Sequence, residues 1–509
     1  MLVAALALIG GMAYGRFHWS SGNDTHFTAA PDVIEMLLLD AQSDRPVEGV
    51  RVTFDSIPAV GLGRGRFAAR MPGSLPPGQV RAEGYRPVEV PARRDAGLAL
   101  HLVPAVIRGI VHDADGAPIP RALVRLNQQM ARTESDGRFQ LHEVGAAPVV
   151  AVSAPGYAAA RVTVGDRVDL DVQLGTQELH AVYLSSYGVA DAELRDNVLS
   201  LLQGGQANAI VLDVKGERGY LAYRSDVATA AQIGANRMAT IGDIDELLAS
   251  LRELGVYTIG RIPVFKDDLL ARNGAGVNLD VAVRDALDGD LWVDRSDLGW
   301  VDPFREEVWD YNVALAEEAI RRGFDEVQFD YVRFPTDPGR ETTLDRAQFS
   351  QPANAESRAA AIAAFLSRAQ RAVHLAGGVL SADIFGFVAW RNDDLGIGQQ
   401  LELVAASVDY LSPMVYPSTF TGLPMEPSYA DSASYPYETV FYSLQRARER
   451  LAGTGVALRP WLQYFDDYPW ASGMTYGPEE LEAQRRAVTD LGLSGWMWWD
   501  PTNRYRHGM

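Results

Sequence analysis

The sequence predicts a multidomain chain in which a (β/α)8 TIM barrel, residues 177–509, follows two small all-β sandwich domains. The length of 509 residues fits two to four domains. From His180 onward, short apolar runs alternate with longer helical stretches, which is typical of repeated βα units. Before residue 176, two segments repeat each other at a fixed offset, which predicts a duplicated unit.

Composition excludes several classes of function. The 66 acidic and 46 basic residues give a net charge of −20, which argues against a nucleic-acid partner. Residues 1–178 contain 17 basic and 19 acidic side chains, and residues 179–509 contain 29 and 47, so the second region carries −18. With no cysteine, disulfide scaffolds, thiolate zinc sites and iron–sulfur clusters are excluded. We predict no cofactor.

The first residues predict export. Residues 1–15 are almost entirely apolar between Leu2 and Tyr14, and the run is shorter than the ~20 residues of a comfortable membrane span. It is typical of a signal peptide or an N-terminal anchor, and residues 16–32 of a polar linker. The predicted location is therefore extracytoplasmic (periplasmic, secreted or membrane-anchored), with membrane contact only through this segment.

An internal repeat defines the two predicted sandwiches, residues 33–104 and 105–176. The triplet Gly65-Arg66-Phe67 recurs 72 positions later as residues 137–139, and Gly84-Tyr85 recurs 72 positions later as residues 156–157. Short β-rich runs with turn signals between them predict β-sandwiches. The second copy, through residues 107–111 (IRGIV), 118–124 (PIPRALV) and 133–139 (TESDGRF), resembles carboxypeptidase regulatory-like domains. That resemblance implies a spacer or carbohydrate-surface role.

Eight apolar, β-branched runs predict the barrel strands. Amphipathic or Ala-rich stretches such as 305–323 and 355–376 separate them and predict the outer helices. The predicted strands are residues 180–187, 209–215, 257–265, 326–334, 378–385, 408–416, 458–464 and 495–500.

Polar side chains collect late in these strands, at the end of the barrel where catalytic groups are expected. A carboxylate in a strand enclosed by barrel and helices is costly unless it is paired or functional. A ring of salt bridges closing the barrel is the structural alternative. We predict Asp330 and Asp383 as catalytic residues, with substrate contacts from Asp213, Lys215, Arg261, Arg333, Tyr416, Gln463, Trp499 and Asp500.

Two carboxylates carry the predicted chemistry. In the segment 326–335 (EVQFDYVRFP), strand alternation places Gln328 and Asp330 on one face and Arg333 on the other, where it could bend back to hold a carboxylate. Asp383 follows one strand later, near enough to oppose Asp330 across a barrel mouth. One protonated and one ionised carboxyl group are what cleavage of a glycosidic bond requires. The tryptophans of this region, with Trp300 and Trp499 the best placed, add flat faces for sugar rings or fill the core.

Further motifs carry a family resemblance: residues 211–215 (VLDVK), 300–303 (WVDP), 308–311 (VWDY), 329–335 (FDYVRFP) and 412–417 (SPMVYP). Residues 178–505 resemble a family of bacterial exported proteins classed with the glycoside hydrolases and distantly similar to α-amylase-type barrels. The resemblance implies a TIM barrel that acts on a polysaccharide or oligosaccharide. It implies Asp330 as nucleophile and Asp383 at the position of the acid, where amylase-type barrels usually have a glutamate. Asp213 or Asp500 are alternatives for that role, and Asp466 or Asp467 for a third carboxylate.

Other functions find less support. We find no G-x-S-x-G elbow and no phosphate-binding G-x-x-x-x-G-K-[ST] loop. The barrel region has only three histidines, which disfavours a histidine zinc site, whereas Ca²⁺ on loop carboxylates stays open. Two alternatives to hydrolysis remain: a non-catalytic carbohydrate-binding barrel and a transglycosidase.

Overall fold

The computed structural model describes residues 33–70, 77–92, 97–145, 148–336, 346–467 and 473–506. The chain divides into two compact units, Met1–Thr176 and Gln177–Met509. The predicted signal or anchor segment, 1–15, and the linker, 16–32, lie outside the described residues. Within the described ranges, no helix has the length and apolar character needed to cross a membrane.

The first repeat is a β structure around its own apolar core. The strand Ile57–Gly63 pairs on one side with Val52–Phe54 and on the other with Arg66–Arg70, and so joins two groups of strands. Alternating residues of the first strand, such as Ile34, Met36 and Leu38, are buried in this core. The strands are Val33–Asp40, Val52–Phe54, Ile57–Gly63, Arg66–Arg70, Gly78–Ala82, Val88–Val90 and Gly97–Leu102.

The second repeat has two sheets, one of four strands and one of three, that enclose a separate core. Val124 and Val150 come from the first sheet and Ile107, Phe139 and Leu170 from the second. The strands are Val106–His112, Leu123–Leu126, Gln129–Arg132, Arg138–His142, Val149–Ser153, Ala160–Thr163 and Asp169–Gln173.

The repeated glycine has the same structural reason in both copies. Gly65 and Gly137 have φ values of 74° and 78°, in the left-handed region that favours glycine. A Cβ at Gly65 would lie 2.7 Å from the Leu38 carbonyl oxygen, and one at Gly137 would lie 2.5 Å from that of Val111. The glycine therefore lets each turn approach the first strand of its own repeat, and the phenylalanine two positions later enters the core.

Residues 177–506 form a closed parallel barrel, which confirms the predicted fold class. Pairing of Val379–Phe385 with Tyr410–Met414 completes the ring. The seventh strand is interrupted at Arg459-Pro460, so Ala457–Leu458 precedes Trp461–Gln463. We number the barrel strands one to eight in chain order: Leu179–Leu184, Ala209–Asp213, Tyr257–Pro263, Glu326–Asp330, Val379–Phe385, Tyr410–Met414, Trp461–Gln463 and Gly495–Trp499.

Helices pack outside the barrel, and their apolar side chains share one large core with the outward faces of the strands. Glycines in the left-handed conformation end two of them, Gly323 at φ 120° and Gly377 at φ 104°. The helices of at least ten residues are Ala192–Gln203, Ile244–Glu253, Glu306–Arg322, Ala355–Ala376, Pro436–Arg450 and Pro478–Asp490, and shorter ones are Ser186–Ala190, Ala228–Ile233, Asp268–Asn273 and Leu401–Ala405.

A buried ion pair lies at the amino-terminal end of the barrel, opposite to the predicted catalytic end. Glu326, the first residue of strand four, pairs with Arg459, and both side chains are fully buried. Tyr257 donates a hydrogen bond to Glu326 at 3.2 Å, and the Ser381 hydroxyl donates another. The interruption of the seventh strand places Arg459 in this pair.

Candidate active site

One guanidinium joins two strand-end carboxylates. Arg261 of strand three donates from Nη1 to Asp213 at 2.8 Å, and from Nε and Nη2 to the same oxygen of Asp330, at 3.0 and 2.5 Å. All three residues are buried, so these charge-assisted bonds are little screened by water. Asp213, Arg261, Asp330 and the neighbouring Asp383 are called the Arg261 cluster below.

Asp213 has two further hydrogen-bond donors. The Tyr183 hydroxyl donates to Oδ2 at 2.8 Å, and the Ser186 backbone N–H donates to the same oxygen at 3.2 Å. Burial raises the pKa of the Asp213 carboxyl, although Arg261 and Tyr183 oppose the shift. Tyr183 was not among the predicted site residues, although it lies in the first predicted strand and packs inside the barrel.

Asp330 is held at a strained turn of the backbone. It ends strand four, and Tyr331 has a φ of 47°, an uncommon value for an aromatic residue. The Tyr331 N–H donates back to Oδ1 of Asp330 at 2.6 Å. The predicted strand 326–334 therefore stops four residues early, and its alternation does not extend to Arg333. Strain of this kind is concentrated at functional sites.

Asp383 lies beside Asp330 in the barrel. The strand register pairs Gln328 with Ser381, and two residues further along both strands the same face carries Asp330 and Asp383. The indole N–H of Trp461 donates to Oδ1 of Asp383 at 2.7 Å. Burial, and next the negative charge of Asp330, raise the pKa of Asp383 well above its usual range, against the opposing effects of Arg261 and Trp461.

Two predicted aromatic residues lie at the same site. Tyr416 packs in the same buried cluster as Tyr183 and Trp461, and burial with the charges of Asp383 and Asp330 raises the pKa of its hydroxyl. Trp499 stacks on Tyr183 with 4.2 Å between ring centroids, and the Arg261 guanidinium lies 5.2 Å from its ring centre. Trp499 is half-buried, so part of this indole reaches solvent.

A second charged group adjoins the cluster and was not among the predicted site residues. Lys266 Nζ lies 2.9 Å from Glu217 and 3.0 Å from Asp294. The Glu217 side chain is 32% exposed, the most of these three. Although burial opposes it, the charges of Lys266 and Arg261 hold the pKa of Glu217 below its usual range. Two signals in the sequence pointed to Lys266: it follows the third predicted strand, and it is one of only two lysines.

Arg333 lies among aromatic rings. The centre of its guanidinium is 4.7 Å from the Trp300 ring centroid, 4.9 Å from Phe385 and 5.2 Å from Tyr331. Nη1 donates to the Phe334 carbonyl at 3.1 Å. Among the described residues, no carboxylate forms an ion pair with Arg333, so the expected contact with a carboxylate stays a prediction.

Lys215 lies in a buried ion pair, and its predicted contact with substrate stays a prediction. Its ammonium donates to Asp267 at 2.7 Å and to Asn312 at 2.8 Å, and the side chain is fully buried. Strand two ends at Asp213, so the residues that follow no longer keep to the barrel interior. Lys215 instead links strand two to the helix Glu306–Arg322 and stabilises the packing there.

Gln463 and Asp500 make hydrogen bonds to loop residues, and their predicted substrate contacts stay predictions. Gln463 donates to the Phe465 carbonyl at 3.0 Å and accepts from the Ser418 N–H at 3.0 Å. Oδ1 of Asp500 accepts from the backbone and side chain of Thr502, at 2.8 and 2.7 Å. Asp466, a candidate third carboxylate, accepts from the Tyr476 N–H at 2.8 Å.

Most tryptophans of the barrel belong to the core. Eight tryptophans were candidates for sugar stacking. Only Trp499 is half-buried rather than buried among the seven that lie within the described ranges: Trp292, Trp300, Trp390, Trp461, Trp496, Trp498 and Trp499. Trp300 is fully enclosed and packs against Arg333, so it supports the site from behind. The eighth candidate, Trp470, lies outside the described residues.

Metal-binding clusters and surface cavities are the other possible sites in the described chain. No group of three or more histidine or acidic side chains in the described ranges has an arrangement that could hold a metal ion. A cavity of about 510 Å³ lies between the helix Ala192–Gln203 and residues 504–505, and Glu193, Asn197 and Arg504 line it. Its lining includes none of the four residues of the Arg261 cluster, so it does not define the candidate active site.

Residues 177–506 thus form a (β/α)8 barrel with carboxylates at the carboxyl ends of its strands. Residues 181–505 match the family model described as "Putative glycosyl hydrolase domain", and the chain belongs to this family. Residues 106–175 match the carboxypeptidase regulatory-like domain. Both resemblances stated from the sequence motifs are thereby confirmed.

Several solved structures are similar to this chain. A hypothetical protein from Ruminiclostridium thermocellum is 32% identical over 40% of this chain and 96% of its own, with a TM-score of 0.34. The PgaB glycoside hydrolase domain from Bordetella bronchiseptica is 13% identical over 64% and 95%, with a TM-score of 0.46. The endo-1,4-β-D-mannanase from Thermotoga petrophila is 11% identical over 65% and 93%, with a TM-score of 0.41. No curated protein matches the sequence.

Proposed function

We propose that the barrel cleaves glycosidic bonds of an extracellular or cell-envelope polysaccharide by a two-carboxylate mechanism. Asp383 is the general acid that protonates the leaving oxygen. Asp330 is the ionised partner that acts as nucleophile or as base for water. Family membership supports the reaction class, and the residue roles follow from the environments of the two carboxyl groups.

The observation that carries the proposal is that two adjacent carboxyl groups have different hydrogen-bond partners. Asp330 accepts two charge-assisted hydrogen bonds from the Arg261 guanidinium. Asp383 accepts one from the neutral indole of Trp461 and has a raised pKa. The carboxyl with the raised pKa is assigned as the acid, and the carboxyl with the cationic partner is assigned as the ionised group.

Low exposure of the carboxyls supports a second candidate, a non-catalytic carbohydrate-binding barrel. Asp330 is 8% exposed and Asp383 is 1% exposed, so a sugar reaches them only at the edge of the cluster or after side chains move. A binding protein would keep the half-buried Trp499 and the charged residues as contacts. Turnover separates the two candidates, and products longer than the substrate would indicate a transglycosidase.

The deciding experiment is a screen of the purified full chain against bacterial exopolysaccharides and α-glucans, with Asp330→Asn in parallel. We expect new reducing ends with the wild-type protein and none with the variant. Binding of a polysaccharide without new reducing ends would favour the binding barrel. Equal rates for both proteins would overturn the role of Asp330.

The pH profile tests the role of Asp383. A general acid is lost as its carboxyl ionises, so kcat/KM falls as pH rises through the pKa of Asp383, which burial raises. In Trp461→Phe the hydrogen bond that favours the ionised form is gone, so we expect the basic limb of the profile to move to higher pH. Trp498→Phe is the matched control, since Trp498 lies in the outer core, and a shift there as large as in Trp461→Phe would contradict the assignment.

We further propose that the protein acts outside the cytoplasm and that the two β repeats hold the barrel near its polymeric substrate. The apolar run of residues 1–15 motivates the first statement, and the match of residues 106–175 to the carboxypeptidase regulatory-like family motivates the second. Fractionation of cells that express the full chain measures the first. Recovery of the protein with the cytoplasmic fraction alone would contradict it.

A further inference from the structure

Arg333 differs from the other buried arginines of the barrel. Arg261, Arg358 and Arg459 each pair with a carboxylate at a buried or largely buried position. The Arg333 residue is only 7% exposed. In the described part of the chain, no carboxylate lies within ion-pair distance of it. A buried cation without a counter-ion is costly, and burial lowers the pKa of this guanidinium.

The described carboxylates that act electrostatically on Arg333 already have other cations. Glu217 and Asp294 bind Lys266 at 2.9 and 3.0 Å, and Asp330 binds Arg261. The rings of Trp300, Tyr331 and Phe385 surround the guanidinium and stabilise its charge through their faces, without neutralising it. Among the described residues, Arg333 therefore has no carboxylate of its own, although Asp330, Glu217 and Asp294 lie within electrostatic range.

One edge of the guanidinium is open. Nη1 donates to the Phe334 carbonyl, whereas Nε and Nη2 have no hydrogen-bond partner among the described residues. Neither nitrogen is completely enclosed and unpartnered, so both keep some access to solvent. The Nε–Nη2 edge thus presents two parallel N–H donors, the geometry that binds a carboxylate with both oxygens.

The frame around this edge is fixed by backbone hydrogen bonds. The Phe334 N–H donates to the Ile397 carbonyl at 2.8 Å, and the Phe385 N–H donates to the side chain of Gln399 at 3.0 Å. Gln399 in turn donates to the Asp383 carbonyl at 3.2 Å. Gln399 therefore connects the residues around Arg333 with the proposed acid, Asp383. A preorganised site of this kind increases the affinity for a ligand.

We infer that Arg333 binds the carboxylate of a uronic-acid residue in the polysaccharide substrate. This inference rests on the proposed function, because it places an acidic sugar beside the bond that Asp330 and Asp383 would cleave. The net charge of −18 in residues 179–509 determines how many uronic acids the polymer should carry. A densely charged polyuronate would be repelled, whereas a largely neutral chain with spaced uronic acids meets one guanidinium at short range.

The test uses the full chain and three uronate-bearing polysaccharides with different backbones: glucuronoxylan, gum arabic and xanthan. Each is compared with its carboxyl-reduced form, in which the uronic acids have become neutral sugars, and polygalacturonate serves as the dense polyanion. Affinity electrophoresis measures retention at ~150 mM salt, where charges more than about 8 Å apart are largely screened. We expect retention by at least one intact polymer, weaker retention by its reduced form, and weak retention by polygalacturonate.

Arg333→Met removes the charge and keeps the length of the side chain. We expect its affinity for the intact polymer to fall roughly 10- to 100-fold, which corresponds to the loss of hydrogen bonds to a charged group. Its affinity for the reduced form should not change. Arg333→Lys keeps the charge without the planar fork, so an intermediate loss is expected. Arg391→Met, at an exposed surface pair with Asp393, changes the net charge equally and controls for it.

The outcomes separate this inference from the proposed function. Retention that depends on the carboxyl groups and on Arg333 supports the inference even if no polymer is cleaved, in which case only the proposed function fails. Cleavage of an intact uronate-bearing polymer at equal rates by wild type and Arg333→Met supports the function and overturns the inference. Equal retention of intact and reduced polymers, or retention of none by the wild type, also overturns it; this comparison needs no variant to fold.

Discussion

Asp330→Asn is expected to lower kcat/KM on the order of 10⁴-fold, the largest change in activity that we predict. The amide has the shape of the carboxylate but neither attacks an anomeric carbon nor accepts a proton from water. The fold is expected to survive, because Arg261 keeps its bond to Asp213 at 2.8 Å. Reducing-end kinetics, with circular dichroism to verify folding, measure the effect on whichever polymer the screen identifies.

Asp213→Asn is the matched control for this prediction. Asp213 binds the same guanidinium, but in our proposal it only positions Arg261. We expect a loss of about 10-fold, far smaller than for Asp330→Asn, with the pH profile shifted rather than abolished. If the Asp213 variant were the more damaged of the two, the roles of these aspartates would have to be exchanged.

Arg459→Met is expected to lower the free energy of unfolding by about 3–5 kcal/mol, the largest change in stability that we predict. The substitution leaves Glu326 buried and without its cationic partner, because both side chains are fully enclosed. Burial already raises the pKa of Glu326, so the variant is expected to retain a proton there over a wider pH range. Urea denaturation of the full chain, followed for the barrel by tryptophan fluorescence, measures the loss.

Two further variants make this result specific. Arg368→Met breaks a surface pair with Glu306 in which the arginine side chain is 41% exposed, and we expect a change of less than about 1 kcal/mol. The double variant Arg459→Met/Glu326→Leu removes both charges, so most of the loss should be recovered. A double variant as unstable as the single one would show that packing, rather than the unpaired carboxyl, determines the effect.

The barrel was predictable because its strands are enclosed on both faces. Buried parallel strands are continuous apolar runs, so Ala209–Asp213 and Val379–Phe385 could be located within a few residues. The end of strand four was not predictable, since nothing in the residue types requires the positive φ of Tyr331. The repeated glycines predicted turns correctly because their backbone needs a left-handed conformation.

The candidate site was predictable in part, for a similar physical reason. Asp213, Arg261, Asp330 and Asp383 lie within regular strands, where alternation and shared direction bring their side chains to one place. Lys215 and Asp500 follow the last residues of their strands, where that rule no longer applies. Choice of partner depends on tertiary packing, as for Glu326 and Arg459, which are 133 residues apart in sequence.

One guanidinium serves two acids in the Arg261 cluster, so these positions are energetically coupled. Losing Asp213 or Asp330 alone leaves a balanced pair, whereas losing Arg261 leaves two buried anions facing each other. A double-mutant cycle would therefore show strong non-additivity among the three. Across descendants of this protein, a neutral residue at position 261 would be tolerated only together with a change at 213 or 330, and the trio would evolve as a single unit.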